Sequence, residues 1–303
     1  MRRTFTMRVL AAGLFCLSLN TVGAKELTGT LKKVKETGTL VLGVRDASIP
    51  FSFLDEQQQY IGYHIDLCMK IVQATAKLLG IPVKAKLQPV ASATRIPLMA
   101  NGTIDLECGN TTNNSERQQH VWFSPTTFIT ATRLMSKKNA NIRSLTDLRG
   151  KTISSTSGSS NLKLMVSMNN TKNLGMTVIP VVDHGTGMAM LESDRIAAYA
   201  TDDIILYSLA ANSKNPADYV ISKEALSVEP YGIMLRKDDS DFKKVVDQAI
   251  TEVFRSGQIQ PLYAKWFQSP LPPKGINLNV PLSEKLKTIF AHPTDSGDPT
   301  SYL

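Results

Sequence analysis

Three arginines stand where strands should end. Arg45 follows the apolar run Leu40-Val41-Leu42-Gly43-Val44, Arg95 comes soon after the run Val83 to Leu87, and Arg117 lies in the polar stretch beyond Ile104-Asp105-Leu106-Glu107. Hydroxyl and amide side chains accompany them: Ser92 precedes Arg95, and Asn110, Thr111 and Thr112 precede Arg117. The second half repeats the arrangement with Ser157-Gly158-Ser159-Ser160, Asp183-His184-Gly185 and Asp202. A planar guanidinium matches a carboxylate with two parallel hydrogen bonds. Helix starts add oriented backbone N–H groups with partial positive charge. Asp202 is placed to pair with an ammonium. Three cations, one anion and a histidine suit a small zwitterion carrying a second negative charge, and an acidic amino acid has two carboxylates and one amine.

Taken singly, each residue has a blander reading. A lone arginine after a strand is more often a surface ion pair than a ligand group, and Arg133, Arg149, Arg236 and Arg255 have no better claim than that. Ser157 to Ser160 alone would be an ordinary helix cap, and His184 a capping or hydrogen-bonded loop residue. Asp203 is expected to face solvent or to cap the next helix. Glu107 reads as structural at a strand end. Convergence at equivalent strand ends is what favours a site.

The elements that must position these groups alternate. Ile65, Cys68, Ile71, Val72, Leu78 and Leu79 recur at helical spacing, with Thr75 on the same face and Gly80 closing the helix. Ser92 is expected to cap a helix near Arg95 to Ala100, where Pro97 is tolerable only in an early turn. Strand, helix, strand, helix, strand implies a parallel sheet. The pattern restarts after a β-prone run from Thr126 to Leu134. Strands are expected at Thr152–Ser155, Val178–Val181 and Ile196–Ala200, with helices from about Ser160 to Met168 and from Gly187 to Glu192. Tyr231 to Leu235 returns as a strand, and Phe242, Val245, Val246, Ala249, Ile250 and Val253 mark a long amphipathic helix. Residues after Trp266 are expected to wrap the surface or fray. The reading is α/β with two lobes around a cleft, each a mostly parallel sheet flanked by helices, with two crossover strands between them. Ligands in open α/β sheets bind at the carboxyl ends of strands.

The chain of 303 residues carries a net charge of +8, with 42% apolar and 20% charged residues. That composition is globular, and the length suits two modest domains. No glycine-rich loop leads to Gly-Lys-Ser or Gly-Lys-Thr, and no Gly-x-Gly-x-x-Gly occurs, which disfavours nucleotide hydrolysis and dinucleotide redox chemistry. Four histidines and three cysteines leave few ligands for zinc, so no metal and no cofactor is expected. The basic residues are scattered and lack an aromatic-basic motif, so no nucleic-acid partner is expected.

Arg2, Arg3 and Arg8 precede an apolar run from Val9 to Leu19, and Val22-Gly23-Ala24 offers a small-residue cleavage site. Residues 1–24 therefore read as a secretory signal peptide. Without those three arginines the 34 basic residues become 31 against 26 acidic, about +5. Export makes a disulfide between Cys68 and Cys108 permissible, with two small buried thiols as the alternative.

The sequence resembles the periplasmic solute-binding proteins of polar amino-acid ABC transporters, and most of all their glutamate/aspartate-binding branch. The resemblance runs from about Leu31 to Ser283. It is carried by Gly43 to Ser52, Thr94-Arg95-Ile96-Pro97-Leu98, the block Asn101-Gly102-Thr103-Ile104-Asp105 to Glu116-Arg117-Gln118, Asp183-His184-Gly185, Thr201-Asp202-Asp203 and Tyr231 to Asp239. Arg45, Arg95 and His184 together mark the dicarboxylic branch.

The resemblance implies a type II two-lobe fold: residues 25–131 plus 229–303 as the first lobe, with a tail from about 268, and 132–228 as the second. It also implies a monomeric periplasmic protein that captures an acidic amino acid and delivers it to an inner-membrane ABC permease. By the same resemblance Arg117 holds the α-carboxylate with Thr112, Ser159 and Ser160. Asp202 and the carbonyl of Asn110 take the α-ammonium, and Arg45, Ser92, Arg95 and His184 surround the side-chain carboxylate. Relatives tend to carry serine at Asn110. They also pair a cysteine at 108 with one at 233, which here is Ile233, so Cys68 is a replacement partner or Cys108 is free. The competing reading is an exported dehydratase-like enzyme on the same fold, with Glu107 or His184 as general acid.

Overall fold

The structure is a computed structural model that describes Met1 and residues 26–272 and 274–303. Apart from Met1, the expected signal peptide lies outside the described residues.

The alternating pattern builds two five-stranded mixed sheets. In the first the strand order is Lys84–Pro89, Thr39–Val44, Leu106–Glu107, Met234–Arg236, Val121–Phe123. Thr39–Val44 pairs in parallel with both neighbours, whereas Met234–Arg236 is antiparallel to both of its own. The second sheet repeats the plan in the order Thr177–Val181, Thr152–Thr156, Ala198–Asp202, Thr132–Lys137, Tyr219–Ile221. Its first three strands are parallel, and Thr132–Lys137 runs against them. A two-stranded antiparallel ribbon, Phe128–Thr130 with Glu229–Tyr231, carries the chain from the first sheet to the second and back.

Helices cover the sheets because their apolar residues recur every three or four positions. The helix Tyr63–Leu79 buries Tyr63, Leu67, Cys68, Ile71, Val72 and Thr75, whose hydroxyl donates to the Ile71 carbonyl at 2.8 Å. It stops at Gly80, whose φ of 62° is the left-handed conformation glycine adopts without Cβ strain. The helix Ser240–Arg255 packs Phe242, Val246 and Ile250 into the same core. Truncating any of these to alanine would cost roughly 2–5 kcal/mol. Smaller clusters lie on the two faces of the second sheet, around Leu148 and Ile153 and around Met135 and Tyr199.

Cys68 and Cys108 are disulfide-bonded, with Cα atoms 6.2 Å apart, so Cys68 does take the place of a partner at 233. Ile233 is fully buried instead.

Several expectations need correction. The run from Thr126 to Leu134 is not one strand but two, because Phe128–Thr130 belongs to the ribbon and Thr132–Lys137 to the second sheet. Tyr231 to Leu235 divides in the same way, between the ribbon and Met234–Arg236. Ser92 is not the helix cap: Thr94 precedes the helix Arg95–Ala100, and the Ser92 hydroxyl is engaged by Arg45. The tail does not fray. It forms the helix Glu284–Ala291, which buries Leu286, Ile289 and Phe290, and ends in a 3-10 turn, Pro299–Tyr302, that buries Tyr302.

Candidate functional site

The strand ends of both sheets meet in a cleft. From the first sheet, Arg45 lies directly beyond Thr39–Val44 and is 3% exposed. Its Nη1 donates to Ser92 Oγ at 2.8 Å, and its backbone N–H donates to Ser52 Oγ at 2.8 Å. Arg95, the first residue of its helix, is 2% exposed and donates from Nη1 to the Asn110 carbonyl at 3.3 Å. Glu107 Oε1 stands 3.7 Å from the same nitrogen, while its Oε2 accepts from the Thr111 hydroxyl. Gly109 allows this crowding: a Cβ there would fall 2.3 Å from Glu107 Oε1 and 2.6 Å from Arg45 Cγ.

Arg117 completes the first-sheet side. Its Nη1 donates to the Thr112 carbonyl at 2.8 Å, and its Nη2 reaches across the cleft to the Gly158 carbonyl at 3.2 Å. Ser160 also crosses, donating to Thr112 Oγ1 at 3.3 Å and to Glu229 Oε2 at 2.8 Å. Ser159 caps the helix Ser160–Thr171, accepting from the Leu162 N–H at 3.0 Å, so its hydroxyl is committed to local structure. An exposed ion pair, Lys163 with Glu116, spans the cleft rim.

The second sheet contributes His184 and Asp202. His184 opens the helix His184–Glu192, after the cap Asp183, and its Nδ1 pairs with the Tyr199 hydroxyl at 2.8 Å. A cavity of about 240 Å³ lies at the cleft mouth, lined by Arg45, Ala47, Val90, Ala91, Asp183 and His184 among others. Asp202 ends the strand Ala198–Asp202 and accepts from Asn161 Nδ2 at 2.9 Å and from the Tyr231 hydroxyl at 2.5 Å.

The electrostatics follow from burial. Arg45 and Arg117 are each lowered to about 10, chiefly by desolvation and then by Arg95, and both stay charged at neutral pH. Neither forms a direct ion pair among the described residues, and the carboxylates that favour their charge act from further off: Glu107 and Asp46 on Arg45, and Glu229, Glu107 and Asp202 on Arg117. His184 is lowered to about 3 by burial and by Arg45 and Arg95, so its imidazole is neutral. The Asp202 carboxyl is pushed up by burial first and by Glu229 second, and no cation pairs with it among the described residues. Four buried polar atoms around the cleft have no hydrogen-bond partner: Arg95 Nε, Glu107 Oε1, Asn110 Oδ1 and His184 Nε2. Buried polar groups are nearly always satisfied, so such a cluster is the mark of a polar ligand site.

Contacts draw the expected residues towards one another: Arg45 bonds Ser92, Arg95 the Asn110 carbonyl, Arg117 the Thr112 carbonyl, and Ser160, beside Ser159, the Thr112 hydroxyl. Arg95 acts electrostatically on Arg45, Arg117 and His184, and Asp202 on Arg117. Sequence reasoning missed Glu229, Tyr231, Asn161 and Tyr199, which hold Ser160, Asp202 and His184. Glu107, read as structural at a strand end, does end the strand Leu106–Glu107, with its carboxylate beside Arg95 and Thr111.

Comparison with known proteins places this geometry. The model of the bacterial extracellular solute-binding proteins, family 3, matches residues 40–269. The chain belongs to that family. It is 52% identical, over 90% of its length and 91% of the relative's, to the L-glutamate/L-aspartate-binding protein of Pseudomonas aeruginosa. It is 41% identical, over 97% of its length and 98% of the relative's, to the glutamate/aspartate import solute-binding protein of Salmonella typhimurium. Among solved structures, a mutant of ArgBP from T. maritima superposes with a TM-score of 0.72 at 27% identity, covering 79% of this chain and 100% of that one. The solute-binding chain thus has the α/β, two-lobe, type II fold. The Pseudomonas and Salmonella relatives are named for binding and import, and this solute-binding protein is likewise not an enzyme.

Proposed function

We propose that this chain captures an acidic amino acid, L-glutamate or L-aspartate, in the periplasm and delivers it as a monomer to an inner-membrane ABC permease. The observation that carries the reading is the pair of buried guanidiniums, Arg45 and Arg117, together with a buried Asp202, none of which forms a direct ion pair among the described residues. Two carboxylates and one ammonium complement that set. The names of the Pseudomonas and Salmonella relatives support it.

In this reading Arg117, Thr112 and Ser160 hold the α-carboxylate, with Ser159 fixing the helix start. Asp202 takes the ammonium, helped by the Asn110 carbonyl. Arg45, Ser92, Arg95 and neutral His184 surround the side-chain carboxylate. The lobes are residues 25–131 with 229–303, and 132–228, and the ribbon between them is the hinge. Each lobe supplies part of the ligand shell, so ligand favours the closed state by differential contact. A micromolar complex needs about −8 kcal/mol. Two charge-assisted arginine contacts at roughly 1.5–3 kcal/mol each supply much of it.

Mass spectrometry of small molecules released from purified protein, followed by calorimetry with glutamate, aspartate, glutamine and asparagine, tests the assignment. Binding of the two acids ahead of their amides is expected. Preference for an amide or a cationic amino acid overturns it.

A further inference from the structure

The matched family region ends at residue 269, yet the chain beyond it returns to the ligand site. Residues 294–302 lie along the loop that bears Thr112 and Arg117. The Asp295 carbonyl accepts from Asn113 Nδ2 at 2.9 Å and from Gln118 Nε2 at 2.8 Å. The Gly297 carbonyl accepts from the Ser115 N–H at 3.2 Å. Within the loop, Asn114 Oδ1 accepts from the Arg117 backbone N–H at 2.9 Å, and Gln118 donates to Asn113 Oδ1 at 2.8 Å. The strap is anchored at both ends. The Thr126 N–H donates to the Thr294 carbonyl at 2.8 Å, and the Tyr302 hydroxyl donates to the Ser296 carbonyl and pairs with Thr126 Oγ1, each at 2.8 Å.

One residue sets the spacing. A Cβ on Gly297 would fall 2.8 Å from Asn114 C and 2.8 Å from Ser115 N. Its φ is not left-handed, so a side chain there would strain nothing locally and would act by pushing the strap from the loop. Two backbones therefore meet at a contact that any other residue would open, one hydrogen bond away from the amide of Arg117.

We infer that the C-terminal strap, residues 294–302, is a positioning element for Arg117 and Thr112, with Gly297 fixing its distance. The inference rests on the proposed ligand class. The strap braces the α-carboxylate end of the site, and among the described residues no hydrogen bond or ion pair links it to Arg45, Arg95 or His184. Its loss should weaken every amino-acid ligand by one common factor and leave discrimination between ligands unchanged. A partial loss of fold would also weaken every ligand by one factor, so melting of the ligand-free protein and exchange within the loop must separate the two.

The test is Gly297→Val in the full chain, with Gly297→Ala and Tyr302→Phe as milder variants should the valine variant fail to fold. Calorimetry with L-glutamate and L-aspartate, melting of the ligand-free protein, and backbone hydrogen exchange over residues 112–118 are measured together. The expected result is faster exchange in that loop and a loss for both ligands of about tenfold, the scale of one weakened charge-assisted hydrogen bond. Unchanged affinity, unequal losses, or losses that merely track a fall in melting temperature overturn the inference. If the unaltered protein binds neither amino acid, the proposed function fails. The strap is then judged by loop exchange alone, and unchanged exchange overturns it.

Discussion

Arg117 and Gly158 face each other from opposite sheets, and a 3.2 Å hydrogen bond from the guanidinium to the Gly158 carbonyl joins them. The approach is possible because position 158 has no side chain. Its φ is +73°, and a Cβ would lie 2.5 Å from Ala93 Cα on the other side of the cleft.

Gly158→Ala should therefore obstruct closure. Left-handed backbone costs a non-glycine residue about 1–2 kcal/mol, and the clash with Ala93 adds to that only when the lobes meet. Ligand affinity should fall by at least tenfold, and small-angle scattering should show no contraction on adding glutamate. Gly150→Ala is the control: its φ is +68° but nothing lies within 4 Å of the added Cβ, so it should lose stability without losing affinity. Equal effects of the two variants on affinity would contradict the closure argument.

Arg45→Gln should discriminate between ligands. Arg45 is buried with Ser92 as its side-chain partner and makes no direct ion pair among the described residues. Removing its charge should cost the acids roughly 1.5–3 kcal/mol of affinity while affecting the amides far less. Competitive titration with glutamate and glutamine measures the difference, and equal losses would reassign Arg45 to structure.

Asp202 predicts a pH dependence with opposite signs for stability and binding. Its carboxyl is raised from 3.8 to about 7, by burial first and then by Glu229. Between those values Asp202 holds a proton in the folded, ligand-free protein that the unfolded chain has lost, so its own contribution to stability falls as pH rises through the window. A bound ammonium needs the carboxylate, so affinity should rise with pH through the same window and level off above it. Arg45 and Arg117, at about 10, contribute no charge change there. The buried imidazoles do: His184, lowered from 6.5 to about 3, and His64, lowered to about 4, stay neutral in the fold while the unfolded chain protonates them, so each adds stability as pH rises towards 6.5. Calorimetry across the window should show affinity rising, and Asp202→Asn should abolish that rise. In melting, the stability of the unaltered protein relative to Asp202→Asn should fall across the window, and a constant difference would contradict the assignment.

The Cys68–Cys108 bond closes a loop with a sequence separation of 40, worth about 4 kcal/mol in the chain-entropy model. Thiol titration of denatured, unreduced protein should find neither cysteine free. Replacing both with serine should lower the melting temperature, and an unchanged melting point would place the bond outside the cooperative unit.

Much of the site was legible because strand ends obey a rule. Arg45, Arg95 and Arg117 each follow an apolar run, and parallel pairing brings those ends to one edge. The supporting residues follow no such rule. Ser160 meets Glu229 across a separation of 69 residues, and Tyr231 meets Asp202 across 29, so no local pattern announces either contact. Ser92 misled because a serine three residues before a helical run has the composition of a cap, and its hydroxyl was engaged by an arginine 47 residues away. The tail misled because its prolines and polar residues mask a short amphipathic helix, whose apolar face exists only against Ser240–Arg255.

Thr30 and Tyr302, far apart in sequence, both lie against the body of the first sheet. Near the beginning, the Thr30 N–H donates to Asp239 Oδ2 at 2.7 Å, and at the other end Tyr302 pairs with Thr126. A fluorophore attached near Thr30 or near Tyr302 would ride on the same body and be blind to the gap between the halves. An optical glutamate reporter built on this scaffold needs at least one dye between residues 132 and 228.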